Sequence, residues 1–149
     1  PATAVELAKN VPNIVAIKEA SGNISQIMDL AMLADGCIDI YSGNDDQILP
    51  LLAIGGKGVI SVLSNVAPTQ THEICAKFFE GDVEGARKLQ MDALPLIHAL
   101  FSEVNPIPVK EAMNLLGWNA GPCRMPLSPM DAANKEKLTA AMRNYGLLK

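Results

Sequence analysis

Lys18 closes the apolar run Asn13-Ile14-Val15-Ala16-Ile17 and opens the polar stretch Glu19-Ala20-Ser21-Gly22-Asn23. A short β-branched stretch after Pro12 reads as a buried parallel strand, with the lysine as its last residue. Such a lysine either reaches water or sits in a pocket. In a pocket, burial disfavours the ammonium and leaves a neutral amine able to attack a carbonyl. Taken alone the residue is ambiguous, because a strand-terminal lysine is more often a surface side chain with a snorkelling head than a nucleophile.

The other chemistry-bearing types are weaker singly. Gly43 permits a turn or the close approach of a ligand to main chain. Gly55-Gly56-Lys57-Gly58 lacks the P-loop spacing and precedes a strand, so it reads as a tight connection. Lys110 reads as a helix-surface lysine paired locally with an acid. Cys37, Cys75 and Cys123 are odd in number, widely spaced and in no CxxC pattern. Reduced thiols of a cytoplasmic protein are the expectation, and structural zinc is not. His72 and His98 have no spaced partners for a metal, and His72 reads as a surface or half-buried helix residue.

Three strands and a series of helices must position these groups. A helix opens at Pro1, which a first turn tolerates; the abrupt start without Met reads as a cut end. Strands are expected at 13–18, 38–43 and 59–63. Helices are expected from Ile24 to Leu33, stopped by Gly36, and from a cap at Asp45 or Asp46 through Leu52. Another runs from Pro68 towards Phe79. Strand–helix alternation with short turns demands a parallel sheet with right-handed crossovers. A barrel is favoured over a doubly wound sheet because Lys18, Gly43 and Asn65 gather at or past strand ends, where barrel sites are built. From Asp82 onward only helices are legible, near 82–102, 108–116 and 131–145. The first carries Val83, Ala86, Leu89, Leu94, Ile97 and Leu100. The division is therefore 1–81, βα units, and 82–149, a helical region. A closed barrel needs eight strands and about 250 residues, so the three strands here make only a part of one.

Composition narrows the function classes. The chain has 149 residues, 49% hydrophobic and 19% charged, with net charge -4. The acidic balance and the lack of any basic run argue against a nucleic-acid partner. No apolar stretch approaches the roughly 20 residues that span a bilayer, so no membrane partner is expected.

The combination of motifs is far more specific than its parts. Val15-Ala16-Ile17-Lys18-Glu19-Ala20-Ser21-Gly22-Asn23 is followed by Tyr41-Ser42-Gly43-Asn44-Asp45-Asp46, then by Gly55-Gly56-Lys57-Gly58-Val59-Ile60-Ser61-Val62. Phe101-Ser102-Glu103-Val104-Asn105-Pro106-Ile107-Pro108-Val109-Lys110 completes the series. This succession closely resembles the dihydrodipicolinate synthase family, among the pyruvate-dependent class I aldolases that include N-acetylneuraminate lyase. The resemblance covers the whole chain. It implies an α/β fold: the C-terminal part of a TIM (β/α)8 barrel, strands six to eight, with a C-terminal three-helix appendage.

The resemblance also implies a chemistry. Lys18 falls on the family's Schiff-base lysine, which forms an imine with the keto carbon of pyruvate and then an enamine. The enamine carbon adds to aspartate-4-semialdehyde, and cyclisation gives a heterocyclic precursor of lysine. Gly43 and Ile60 fall on pocket positions where backbone groups line the pyruvate site. No metal or dissociable organic cofactor is implied. The family's paired threonines, relay tyrosines, semialdehyde arginine and lysine-feedback site would all lie before residue 1, and neither Tyr41 nor Tyr145 matches the catalytic tyrosine. The implied partners are pyruvate, aspartate-4-semialdehyde, the N-terminal half of the barrel and further copies in a homotetramer. A keto-sugar or neuraminate-type pyruvate aldolase, and a half-barrel assembly module without catalysis, are the alternatives.

Overall fold

The computed structural model describes residues 1–149. In chain order it contains α1 (Ala2–Asn10), β1 (Ala16–Glu19), α2 (Ile24–Ala34), β2 (Asp39–Ser42), a 3-10 turn (Asp45–Gln47), α3 (Ile48–Ala53) and β3 (Gly58–Val59). A second 3-10 turn (Leu63–Asn65) leads to α4 (Pro68–Phe79), α5 (Val83–Leu100), α6 (Ile107–Leu115) and α7 (Ala132–Asn144). No helix is long and apolar enough to cross a membrane. Two compact units are present: residues 1–61 with 74–87, and residues 62–73 with 88–149.

The first unit is built on the expected parallel sheet, in order β1-β2-β3. The strands are shorter than the apolar runs and shifted against them. Residues 12–13 are a turn that Ile14 N–H closes onto Val11 O at 3.0 Å, so pairing starts only where Asp39 N–H reaches Val15 O, also at 3.0 Å. At its far end β1 runs on to Glu19. Lys18 is thus the third of four strand residues, not the last. β3 is cut to two residues because Val62 already has right-handed helical geometry, leading into the Leu63–Asn65 turn.

Alternation along the strands separates two faces. Ile40 and Ser42 are buried. Ile40 joins Val5, Ile27, Leu30, Ala34, Ile38 and Leu51 in the core beneath the helices. The α2 contribution, Ile27, Leu30 and Ala34, follows helical spacing. That helix starts on an Asn23 side chain accepting from Gln26 N–H and ends at Asp35 (φ 43), with Gly36 beyond at φ 80. At α3 the 3-10 turn intervenes, so the N-cap residue is Gln47 and not an aspartate, and neither Gln47 nor Asn44, the N-cap of the turn, makes a side-chain cap hydrogen bond.

The second unit is helical apart from its loops. Leu96, Leu100, Val109, Ala112, Leu138 and Met142 lie at its core. Within this unit α5 buries Gln90, Ala93, Leu96, Ile97, Ala99 and Leu100; in its first turns, which belong to the first unit, Ala86 is buried and Val83 exposed. Helix α7 begins on Asp131, whose carboxylate accepts from Ala133 and Asn134 N–H. Glu103 adds to that start, accepting from Asp131 N–H at 3.0 Å and Asn134 Nδ2 at 2.9 Å.

Candidate active site

Sheet register brings the three sequence-derived positions together. Lys18 pairs with Tyr41 and Glu19 with Ser42 across β1 and β2, while Tyr41 pairs with Gly58 and Ser42 with Val59 across β2 and β3. In a parallel ladder, paired residues share a face, so Lys18, Tyr41 and Gly58 lie opposite to the helix-covered Ile40 and Ser42. One step further, Gly43 N–H donates to Glu19 O at 2.6 Å and Ile60 N–H donates to Ser42 O at 2.8 Å. Gly43 and Ile60 therefore continue the Lys18 face at the carboxyl ends of the strands.

That face has no helix over it in this chain. Lys18 is exposed, and Ile60 is 48% exposed. The desolvated lysine expected of a pocket is thus not what this chain alone provides, because burial would require further elements across the open face. Gly43 lies close beside the Lys18 side chain. A Cβ built there would lie 2.5 Å from Ala20 Cβ and 2.9 Å from Lys18 Cε.

The loops beyond the strands are held by polar side chains. Glu19 is 7% exposed and turns away from Lys18 to the helix side. Its carboxylate accepts weakly from Ser21 N–H (3.3 Å) and from Gln26 Nε2 (3.4 Å). Ser42 Oγ donates to Asn44 O at 2.8 Å, and Gln47 Nε2 donates to Gly22 O at 2.9 Å. Sequence reasoning passed over Glu19, although a carboxylate directly after a strand lysine must, by alternation, face the opposite side.

A hydrogen bond from Lys77, 2.8 Å away, and one from Gly85 N–H hold the Asp82 carboxyl below its usual range. Burial pushes Tyr145 up, helped by the charge of Asp92, and burial alone raises Cys75. No group of three or more His, Cys, Asp or Glu side chains is arranged to hold a metal.

The helical unit contains a cavity of about 500 Å³ between α6 and the 117–130 loop. Its polar walls are largely committed to holding that loop. Lys110 Nζ donates to Pro122 O at 2.7 Å, and the Asn114 amide both donates to Gly121 O and accepts from Gly121 N–H. The local acid expected beside Lys110 is Glu111, which pairs with Lys135 at 2.6 Å instead. The loop arching back over α6 takes the lysine.

Comparison with known proteins shows the family of the chain. Residues 1–145 match the dihydrodipicolinate synthetase family. The chain is 58% identical over 147 residues to the 4-hydroxy-tetrahydrodipicolinate synthase of Caldicellulosiruptor bescii, covering 99% of this chain and 49% of that protein. It superposes on the crystal structure of dihydrodipicolinate synthase from Thermotoga maritima with a TM-score of 0.95 and 44% identity, covering 99% of this chain and 51% of the other. The chloride-inhibited enzyme from Acinetobacter baumannii, complexed with pyruvate, is 36% identical with a TM-score of 0.90, over 99% of this chain and 50% of that one. The chain spans about half the length of the curated relatives it matches. With its parallel sheet, its strand-borne lysine and this extent of identity, the chain belongs to the dihydrodipicolinate synthetase family.

Proposed function

We propose that this chain supplies the nucleophile of a pyruvate-condensing synthase and acts with a second half that covers its open sheet face. In this reading its strands are the sixth to eighth of a (β/α)8 barrel, with residues 1–81 in the barrel and 82–149 as the helical appendage. The Lys18 amine attacks the keto carbon of pyruvate and water leaves, giving the imine. Loss of a methyl proton then gives the enamine, whose carbon adds to the aldehyde of aspartate-4-semialdehyde. Cyclisation through the semialdehyde's amino group displaces Lys18. Gly43 leaves room for the ligand beside the lysine. The Ile60 N–H is engaged with Ser42 O, so Ile60 would meet the ligand through its carbonyl.

The observation that carries the reading is Lys18 on the open face, with Gly43 pressed against its Cε, in a chain 58% identical to a named synthase. A pyruvate complex of a relative supports the first substrate. The open face supports assembly with the N-terminal half, and further association into a homotetramer in the cytoplasm is part of the proposal.

The test is reductive trapping. With the N-terminal half supplied, pyruvate and borohydride should add a stable mass to Lys18, and Lys18→Ala should abolish it. The 149-residue chain alone should give no measurable condensation. Positioned acid–base groups each contribute about 10²–10⁴-fold, and those groups are expected in the other half. Labelling that survives Lys18→Ala, or robust turnover by the chain by itself, overturns the proposal.

A further inference from the structure

We infer that Gln47 is a positioning residue of this site, its amide clamping the loop that follows Lys18 to the turn that follows Gly43; the inference rests on Lys18 being the Schiff-base lysine. Two short segments run on from the carboxyl ends of β1 and β2. Where they leave the sheet they are joined by Gly43 N–H, which donates to Glu19 O at 2.6 Å. Gln47, the last residue of the 3-10 turn, joins them again beyond the strands, its Nε2 donating to Gly22 O at 2.9 Å. The segments Glu19–Gly22 and Gly43–Gln47 are thus tied to each other at both ends.

Between the two ties lies Ala20. A Cβ built on Gly43 would meet Ala20 Cβ at 2.5 Å and Lys18 Cε at 2.9 Å. Ala20 and the end of the Lys18 stem therefore crowd the same bare backbone position, and the seating of Ala20 fixes the room left to the lysine. The carbonyl that Gln47 grips belongs to a left-handed residue, Gly22 at φ 70, where an added Cβ would come within 3.8 Å of Asn44 Nδ2 and 4.0 Å of Gln47 Nε2. The other side-chain bonds of this loop run within it or to α2 and do not reach the segment after β2. Gln47 makes its bond with its own Oε1 buried and unpartnered, an unfavourable state for a polar atom. Turning the amide over would set that oxygen against the Gly22 carbonyl, so the orphaned acceptor is what donation to Gly22 requires. Holding the lysine and its surroundings in one arrangement preorganises attack on the keto carbon.

The experiment follows borohydride trapping of pyruvate on Lys18 across pyruvate concentrations, with the N-terminal half supplied. Gln47→Met keeps the length of the side chain without a donor. Its saturating rate should fall about tenfold, with half-saturating pyruvate within about twofold of wild type and the chain still trapped to completion. Partial unfolding would instead lower the trapped amount and leave the rate. Gln47→Glu, of the same shape with an oxygen in place of the donor, should fall at least as far, and it decides the matter should the Met variant not fold. An undiminished rate in Met, or in Glu if Met does not fold, overturns the inference while leaving Lys18 as nucleophile. A rise in half-saturating pyruvate without loss of saturating rate overturns it too, by assigning Gln47 to pyruvate binding. Absence of trapping in wild type removes the Schiff-base reading itself.

Discussion

Gly43, directly after β2, lies so close to Lys18 of β1 that a methyl group on the glycine would stand 2.9 Å from the lysine Cε. Real Cβ atoms do not tolerate such separations, and Ala20 Cβ would be nearer still, at 2.5 Å. The glycine here is set by contact with its neighbours and not by an unusual backbone angle.

Gly43→Ala should accordingly act twice. Overpacking of this kind costs about 1–3 kcal/mol, which urea unfolding would register. Displacing Lys18 by even about 1 Å can cost 10²-fold in rate, so pyruvate trapping should fall by more than the stability loss explains. Wild-type trapping in the Ala variant would show that the lysine tip is free to move aside.

Asn114→Ala should loosen the loop that arches over α6. Two hydrogen bonds to Gly121 disappear, at about 0.5–1.5 kcal/mol each. Limited trypsin digestion checks it directly: cleavage after the exposed Arg124 should accelerate in the variant, with other sites unchanged.

Acid should selectively erase the contribution of Asp82. Its carboxyl is held below the ordinary range by Lys77 and Gly85, so the folded state binds the proton less readily than the unfolded one. The contribution is fully present above the unfolded aspartate value of about 3.9 and is lost as pH falls through the lower folded value. The stability gap between wild type and Asp82→Asn should be constant at neutral pH and close only below about pH 4. A gap that instead opened on acidification would contradict the sign.

Iodoacetamide should distinguish the three free thiols. Cys37 is exposed and should react first. Cys75 is partly covered, and burial raises its thiol, so less of the reactive thiolate exists at a given pH. Peptide mapping over a time course should find Cys75 lagging Cys37; equal rates would mean that α4 opens on the labelling timescale.

The sequence made the parallel order of the strands, the Asp131 cap and the helical tail legible, because each rests on local patterning. It misplaced the limits of β1 and β3, since apolar residues continue where hydrogen-bond pairing does not. Lys110 was misread for a related reason: its partner is a carbonyl twelve residues on, brought back by a loop whose path no periodicity encodes. Lys18, Gly43 and Ile60 were identified by type and motif. Their convergence on one face, with Tyr41 among them, follows from register and became visible only with the sheet.

The pairing of Lys18 with Tyr41 and Glu19 with Ser42 has a consequence for how this chain tolerates change. An amine and a carboxylate stand side by side on one strand with opposite parity, one outward and one towards the helices. A single-residue insertion or deletion in the turn before β1 could preserve every backbone bond of the ladder and still exchange the two. The outcome would be a folded protein presenting an acid where a nucleophile belongs. Length changes in the Val11–Val15 segment should therefore be accepted in pairs and rejected singly, with loss of chemistry preceding loss of fold.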